Sequence, residues 1–171
     1  MEYIHHYASP LGGITQASDG ESLTGLWFDG QKHAPVFPDE AREEKPLPIF
    51  SLTDRWLDLY FEGKEPAFMP QIRLQGTPFQ KAVWKLLLTI PYGQTQTYQE
   101  AAARLAKEMG RTNMSARAVG AAAGRNPISI IVPCHRLVGK GGKLTGYAGG
   151  IERKKNLLEG ESSICRKDLP E

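Results

Sequence analysis

Apolar positions in the first quarter of the chain fall in short runs broken by turn residues. Residues 3–8, 13–18 and 22–28 are separated by Ser9-Pro10-Leu11-Gly12 and Ser18-Asp19-Gly20. Runs of that length and spacing predict three strands in an antiparallel meander. Residues 34–48 hold four prolines and a charge cluster, which predicts an irregular connection. The period then becomes helical: Leu52, Trp56, Leu59 and Tyr60 share one face of a helix over 52–61, and Gly63 ends it. This half reads as a structural domain without a constellation that would make a site.

The second half opens on a strong helix signal. Thr77-Pro78-Phe79-Gln80 offers an N-cap hydroxyl, proline at the first helical position and glutamine three residues after the cap. Phe79, Val83, Leu86, Leu87 and Ile90 follow at helical spacing until Pro91. Thr97-Tyr98-Gln99-Glu100 is a second capping box, opening a helix with Ala102, Leu105 and Met109 inward and Gly110 at its end. After a short linker, a third helix runs from Ser115 through Ala123 and closes at Gly124. Two short helices with a tight connection suggest a helix-turn-helix. The second of them is nearly all Ala and Gly, with Arg117 its one long polar side chain. Such a helix suits close, sequence-tolerant contact with a nucleic-acid groove, and equally suits packing inside a bundle.

Charge sharpens the contrast between the halves. Residues 1–76 carry 6 Lys+Arg against 12 Asp+Glu, whereas residues 77–171 carry 15 against 7. A basic half joined to an acidic one points to a polyanion met by the second half alone. The whole chain has 171 residues, 40% apolar and 23% charged, enough for a real core. No window approaches the ~18 uninterrupted apolar residues of a membrane span, and the N-terminus lacks a signal-peptide layout. Two cysteines, Cys134 and Cys165, suit a reducing cytoplasm rather than a disulfide scaffold.

The chemistry concentrates at Asn126-Pro127-Ile128-Ser129-Ile130-Ile131-Val132-Pro133-Cys134-His135-Arg136. The run 130–132 looks like a buried strand that delivers Cys134 to the interior or to the floor of a pocket. An imidazole and a guanidinium beside a thiol favour the thiolate and lower its pKa. A buried cysteine is also compatible with inert packing. In an extended chain His135 would point away from Cys134, so cooperation between them requires a bend at Pro-Cys-His or a bridging water.

These residues, with Thr145-Gly146-Tyr147-Ala148-Gly149-Gly150 downstream, resemble the O6-alkylguanine-DNA alkyltransferases. The resemblance runs from about Thr77 to Glu161, and the first half matches in layout only. It implies an α+β fold: a small antiparallel sheet with a helix in a ribonuclease-H-like layout over 1–76, and a winged-helix-like domain with a helix-turn-helix over 77–171. It implies that Cys134 accepts the alkyl group, that His135 acts on the thiol through a water, and that Glu161 orients His135. Asn126 would organise the helix-turn-helix and the active-site loop. Arg117 would insert into the duplex, and Tyr98 would help rotate the damaged nucleotide out and then contact its base. Ser115, Ala121 and Ala122 would contact DNA. Tyr147 and the Ala148 backbone would form a lid over the base, and the carbonyls of Cys134 and Leu137 would accept hydrogen bonds from its exocyclic amine.

The implied activity is repair of O6-alkylguanine, and of O4-alkylthymine, in double- or single-stranded DNA, by a cytoplasmic monomer without a cofactor. A buried target oxygen requires base extrusion, and a thioether product has no ready route back to a thiol. Each molecule would therefore act once. Two other classes compete: a non-catalytic alkylated-base sensor of the same architecture, against which the presence of Cys134 argues, and a thiol hydrolase, for which adjacent Cys and His are poorly suited. Some relatives hold zinc in the first domain, but this first half has no cysteine. His5, His6 and His33 lack convincing ligand spacing, so no metal is expected. Residues 106–114 look longer than in short relatives, and Cys165 reads as a bystander.

Overall fold

The computed structural model describes residues 2–35 and 42–167, with side chains through residue 162. Strands β1 (Glu2–Ser9), β2 (Gly12–Ser18) and β3 (Leu23–Phe28) form the expected meander. A fourth strand, β4 (Arg42–Glu44), lies within the segment expected to be irregular and pairs parallel to β1. The sheet order is β3-β2-β1-β4, so the sheet is mixed rather than purely antiparallel. Residues 36–41 of that connection lie outside the described residues.

Helix α1 (Pro48–Phe61) begins four residues before the expected start, with Pro48 in its first turn and Leu47 as an N-cap without a side-chain bond. Its buried face is Ile49, Phe50, Thr53, Trp56, Leu57 and Tyr60, while Leu52 is exposed. Starting the helix at Pro48 brings Ile49 and Phe50 into register with Thr53 and Trp56, a stripe that leaves Leu52 outside.

Both capping boxes form. Thr77 opens α2 (Pro78–Leu87), and Thr97 opens α3 (Tyr98–Glu108) directly after the two-residue strand β5 (Gln96–Thr97). Ser115 accepts from Ala118 N–H at the start of α4 (Ala116–Gly124). Gly124 is the last residue of that helix, and Met109, expected inward, is exposed. Strand β6 (Leu137–Val138) pairs parallel to β5, and α5 (Ile151–Lys167) closes the described chain.

One cluster of buried side chains runs through both halves, from Ile14 and Phe28 in the sheet to Trp84, Val119 and Leu157. The join is also made by backbone. Leu26 N–H donates to Pro127 C=O at 2.9 Å and Leu26 C=O accepts from Ser129 N–H at 2.8 Å, while Leu23 pairs in the same way with residues 71 and 73. The outer edge of β3 is thereby covered rather than left open. This places the segment leading to Cys134 directly against the sheet.

Candidate active site

The expected strand at 130–132 is instead a tight turn. Ile131 N–H donates to Ser129 C=O, Val132 N–H to Ile128 C=O and Cys134 N–H to Val132 C=O. Ile130 sits at φ +71, a region a β-branched residue enters only under constraint. The constraint is Asn126. Its amide donates to Val132 C=O at 2.7 Å and to Cys134 Sγ at 3.2 Å, and its Oδ1 accepts from Ile128 N–H at 2.9 Å. One buried side chain thus folds the loop and touches the sulfur. Residues 134–136 then form a 3-10 turn, the bend that adjacent Cys and His require.

His135 is fully buried. Its Nε2 faces Glu161 Oε2 at 2.5 Å, and Glu161 also accepts from Tyr60 Oη at 2.6 Å, Arg136 Nε at 2.9 Å and Gly93 N–H at 3.0 Å. Burial pushes the Glu161 carboxyl upward, but its bonds to His135 and Tyr60 and the Arg136 charge outweigh that and hold it at about 2. Burial lowers the His135 pKa below its ordinary value despite Glu161. The imidazole is therefore neutral at neutral pH. Nε2 carries the proton toward the carboxylate, and Nδ1, buried without a protein partner, presents a lone pair.

The thiol departs from expectation. Burial raises the Cys134 pKa; the Asn126 bond and the Lys154 charge oppose it only in part. Neither His135, which is neutral, nor Arg136, which turns to Glu161 and to Ile90 C=O at 2.6 Å, supplies the expected cations. The neighbouring cation is Lys154. It is fully buried, and among the described residues its Nζ bonds Thr145 C=O at 3.2 Å, Gly146 C=O at 3.4 Å and Tyr98 Oη at 3.4 Å. Lys154, Leu157 and Glu161 follow a three-then-four spacing on one face of α5, the sequence cue that would have found it.

Glu161 gives the site a testable acid limb. Its folded pKa lies below its ordinary value, so the unfolded chain binds the extra proton first. Its stabilising contribution is complete above about pH 4.5 and is lost as pH falls toward about 2. Glu161→Gln should remove that segment from a urea-stability profile against pH. A profile matching the parent would mean that Glu161 only solvates the end of α5.

A cavity of about 740 Å³ opens above the sulfur, lined by Cys134, Tyr98, Arg117, Gly120, Gly124, Tyr147 and Ala148. Lys32 and His33 of the first half also line it, and Tyr60 reaches Glu161 from α1, so the first half is not free of site residues as expected. The family described as "6-O-methylguanine DNA methyltransferase, DNA binding domain" matches residues 78–163. Its companion, "6-O-methylguanine DNA methyltransferase, ribonuclease-like domain", matches residues 3–74. The chain belongs to the 6-O-methylguanine DNA methyltransferase family.

Among curated members of this methyltransferase family, the methylated-DNA--protein-cysteine methyltransferase of Mycobacterium tuberculosis (strain H37Rv) is 47% identical over 162 residues, covering 94% of this chain and 93% of the relative. That of Methanosarcina acetivorans is 44% identical over 161 residues, covering 94% and 99%. The crystal structure of M. tuberculosis OGT in complex with DNA superposes with a TM-score of 0.83 at 44% identity, covering 95% of this chain and 94% of that one. The α+β class agrees with that match.

The remaining candidates of this methyltransferase-family chain separate by position. Ser115, Arg117 and Ala121 are exposed along α4, whereas Ala122 is buried and its carbonyl accepts from Trp84 Nε1 at 2.9 Å. Leu137 is buried and pairs with Gln96 in β5. Among the described residues no group of three or more His, Cys, Asp or Glu is placed to hold a metal. His5 pairs with Asp54 at 2.7 Å and His6 with Glu44 at 2.8 Å. The side chain of Cys165 lies outside the described residues. No helix among the described residues is long and apolar enough to cross a membrane.

Proposed function

We propose that this chain repairs DNA by moving the alkyl group of O6-alkylguanine, and of O4-alkylthymine, irreversibly onto Cys134. The observation that carries the reading is a cysteine at the floor of a cavity, behind which a neutral histidine is held by an ionised carboxylate. The thiol proton passes to His135 Nδ1 across a bridging water. The resulting thiolate, facing the Lys154 charge, attacks the saturated carbon. The S–C bond forms, the C–O6 bond breaks with its electron pair going to guanine, and guanine takes up a proton. The product thioether ends the protein's working life, because no thiol exchange reverses it.

The target oxygen is inside the base stack, so the nucleotide must be extruded at a cost of a few kcal/mol. Arg117, exposed at the cavity rim, would fill the gap left in the duplex, with α3 and α4 acting as a helix-turn-helix and α4 lying close to the groove. Residues 77–171 form the DNA-binding and transfer domain, residues 1–76 the supporting one. The protein acts as a monomer on double- or single-stranded DNA through phosphate contacts that weaken steeply with salt.

Intact-mass measurement after incubation with O6-methylguanine duplex tests the reading. One methyl group on Cys134 and a plateau at one product per protein are expected; sustained turnover would identify a thiol hydrolase instead. Arg117→Ala should slow repair in duplex DNA by about tenfold or more while leaving reaction with free O6-benzylguanine near the parent rate. Equal losses on both substrates would remove Arg117 from base extrusion.

A further inference from the structure

The cavity lid, residues 146–150, is tied to the first half of the chain at two points. Lys32 N–H donates to Ala148 C=O at 3.0 Å. Arg153, in the first turn of α5, does more. Its Nε donates to Leu11 C=O at 2.9 Å in the β1–β2 hairpin, and its Nη1 donates to Gly149 C=O at 3.2 Å. Its guanidinium also lies 4.6 Å from the centroid of the Phe28 ring at the end of β3. One planar fork therefore holds a hairpin carbonyl, a lid carbonyl and an aromatic face together, a geometry that an ammonium cannot reproduce.

The neighbouring glycines are shaped to this contact. A Cβ on Gly149 would fall 2.7 Å from the Tyr147 ring and 3.1 Å from Phe28, so the lid backbone can lie flat on the sheet only without a side chain there. Gly12 adopts φ +115, and a Cβ on it would fall 2.9 Å from Arg153 Nη2. The same lid carries Tyr147 and Ala148 into the cavity above Cys134.

We propose that Arg153 is a positioning residue for base binding: it fixes the lid against the sheet and makes the first half of the chain a working wall of the pocket. The proposal rests on the alkyl-transfer reading for its substrate, though not for its structural content. Arg153 touches neither the sulfur nor the His135–Glu161 pair, so its loss should act on capture of the base and not on the chemistry of the thiol.

The test uses the full chain with Arg153→Met and Arg153→Lys. Hydrogen exchange should speed up at the amides of 147–150 and stay at the parent rate in α2 and α3. In single-turnover reaction with free O6-benzylguanine, the half-saturating concentration should rise about tenfold, and the limiting rate and its pH profile should not change. Arg153→Lys, keeping one donor, should recover part of the affinity. Affinity for undamaged duplex should match the parent. Lid exchange and half-saturation equal to the parent would overturn the proposal, as would faster exchange spread evenly over the chain. The exchange measurement needs no alkylated base and Arg153→Lys keeps the charge and bulk, so the clamp is decided even if Cys134 proves not to be the acceptor or Arg153→Met fails to fold.

Discussion

Cys134→Ala should abolish alkyl transfer completely and leave binding to O6-methylguanine duplex within about twofold of the parent. The loss is total because no other described sulfur lies in the cavity, and neither His135 nor Glu161 offers a nucleophile toward a saturated carbon. Binding survives because the groups that would meet DNA, among them Arg117 and the exposed face of α4, are separate from the sulfur. Removing a thiol from the cavity floor also leaves the loop's backbone bonds intact, since Asn126 still donates to Val132 C=O. Intact-mass spectra and a gel-shift titration at fixed salt check both parts. Residual transfer in the variant, or a methyl group found on Cys165 in the parent, would remove Cys134 from its role.

How much of this was legible in the sequence depends on whether the cause was local. Thr77 with Gln80 and Thr97 with Glu100 each satisfy backbone donors within four residues, so both helix starts were readable and both formed. The start of α1 had a local cue as well, Pro48 in its first turn, but no side-chain cap to reinforce it. The 130–132 segment shows the opposite case. Ile-Ile-Val has every preference for a strand, yet Asn126 bonds and the bridge of Ile128 to Leu26 turn it sharply. Tertiary contact overrode propensity there, and the override is what brings the thiol to the cavity.

The site divides in the same way. Cys134, His135 and Asn126 lie within nine residues of one another and could be read as a motif. Tyr60 is 101 residues from Glu161, and its place in the network follows only from packing α1 against α5 and the 3-10 turn. The expectation that positive charge on His135 and Arg136 would lower the thiol pKa failed for a geometric reason: adjacency in sequence placed both beside Glu161 rather than around the sulfur. The cation that does act on the thiol comes from twenty residues downstream.

That cation carries a large expected effect on rate. Burial raises the Cys134 pKa, with the Asn126 bond and the Lys154 charge as the opposing influences, so the thiolate depends on both. Lys154→Met keeps the stem that fills the space beneath Tyr98 and removes the charge. An opposite charge close to an ionisable group favours its charged form. Its removal should therefore move the alkaline rise of the alkylation rate to higher pH and cut the rate near neutrality by about tenfold. The sign follows from the thiol being the acid: without the cation, more hydroxide is needed to form the same fraction of thiolate. Raising the pH should then recover the rate of Lys154→Met toward the parent value, whereas Asn126→Ala, which also unfolds the loop, should not recover. A rate loss for Lys154→Met that stays constant across pH would mean that the lysine holds Thr145 and Gly146 in place and leaves the thiol's ionisation to other groups.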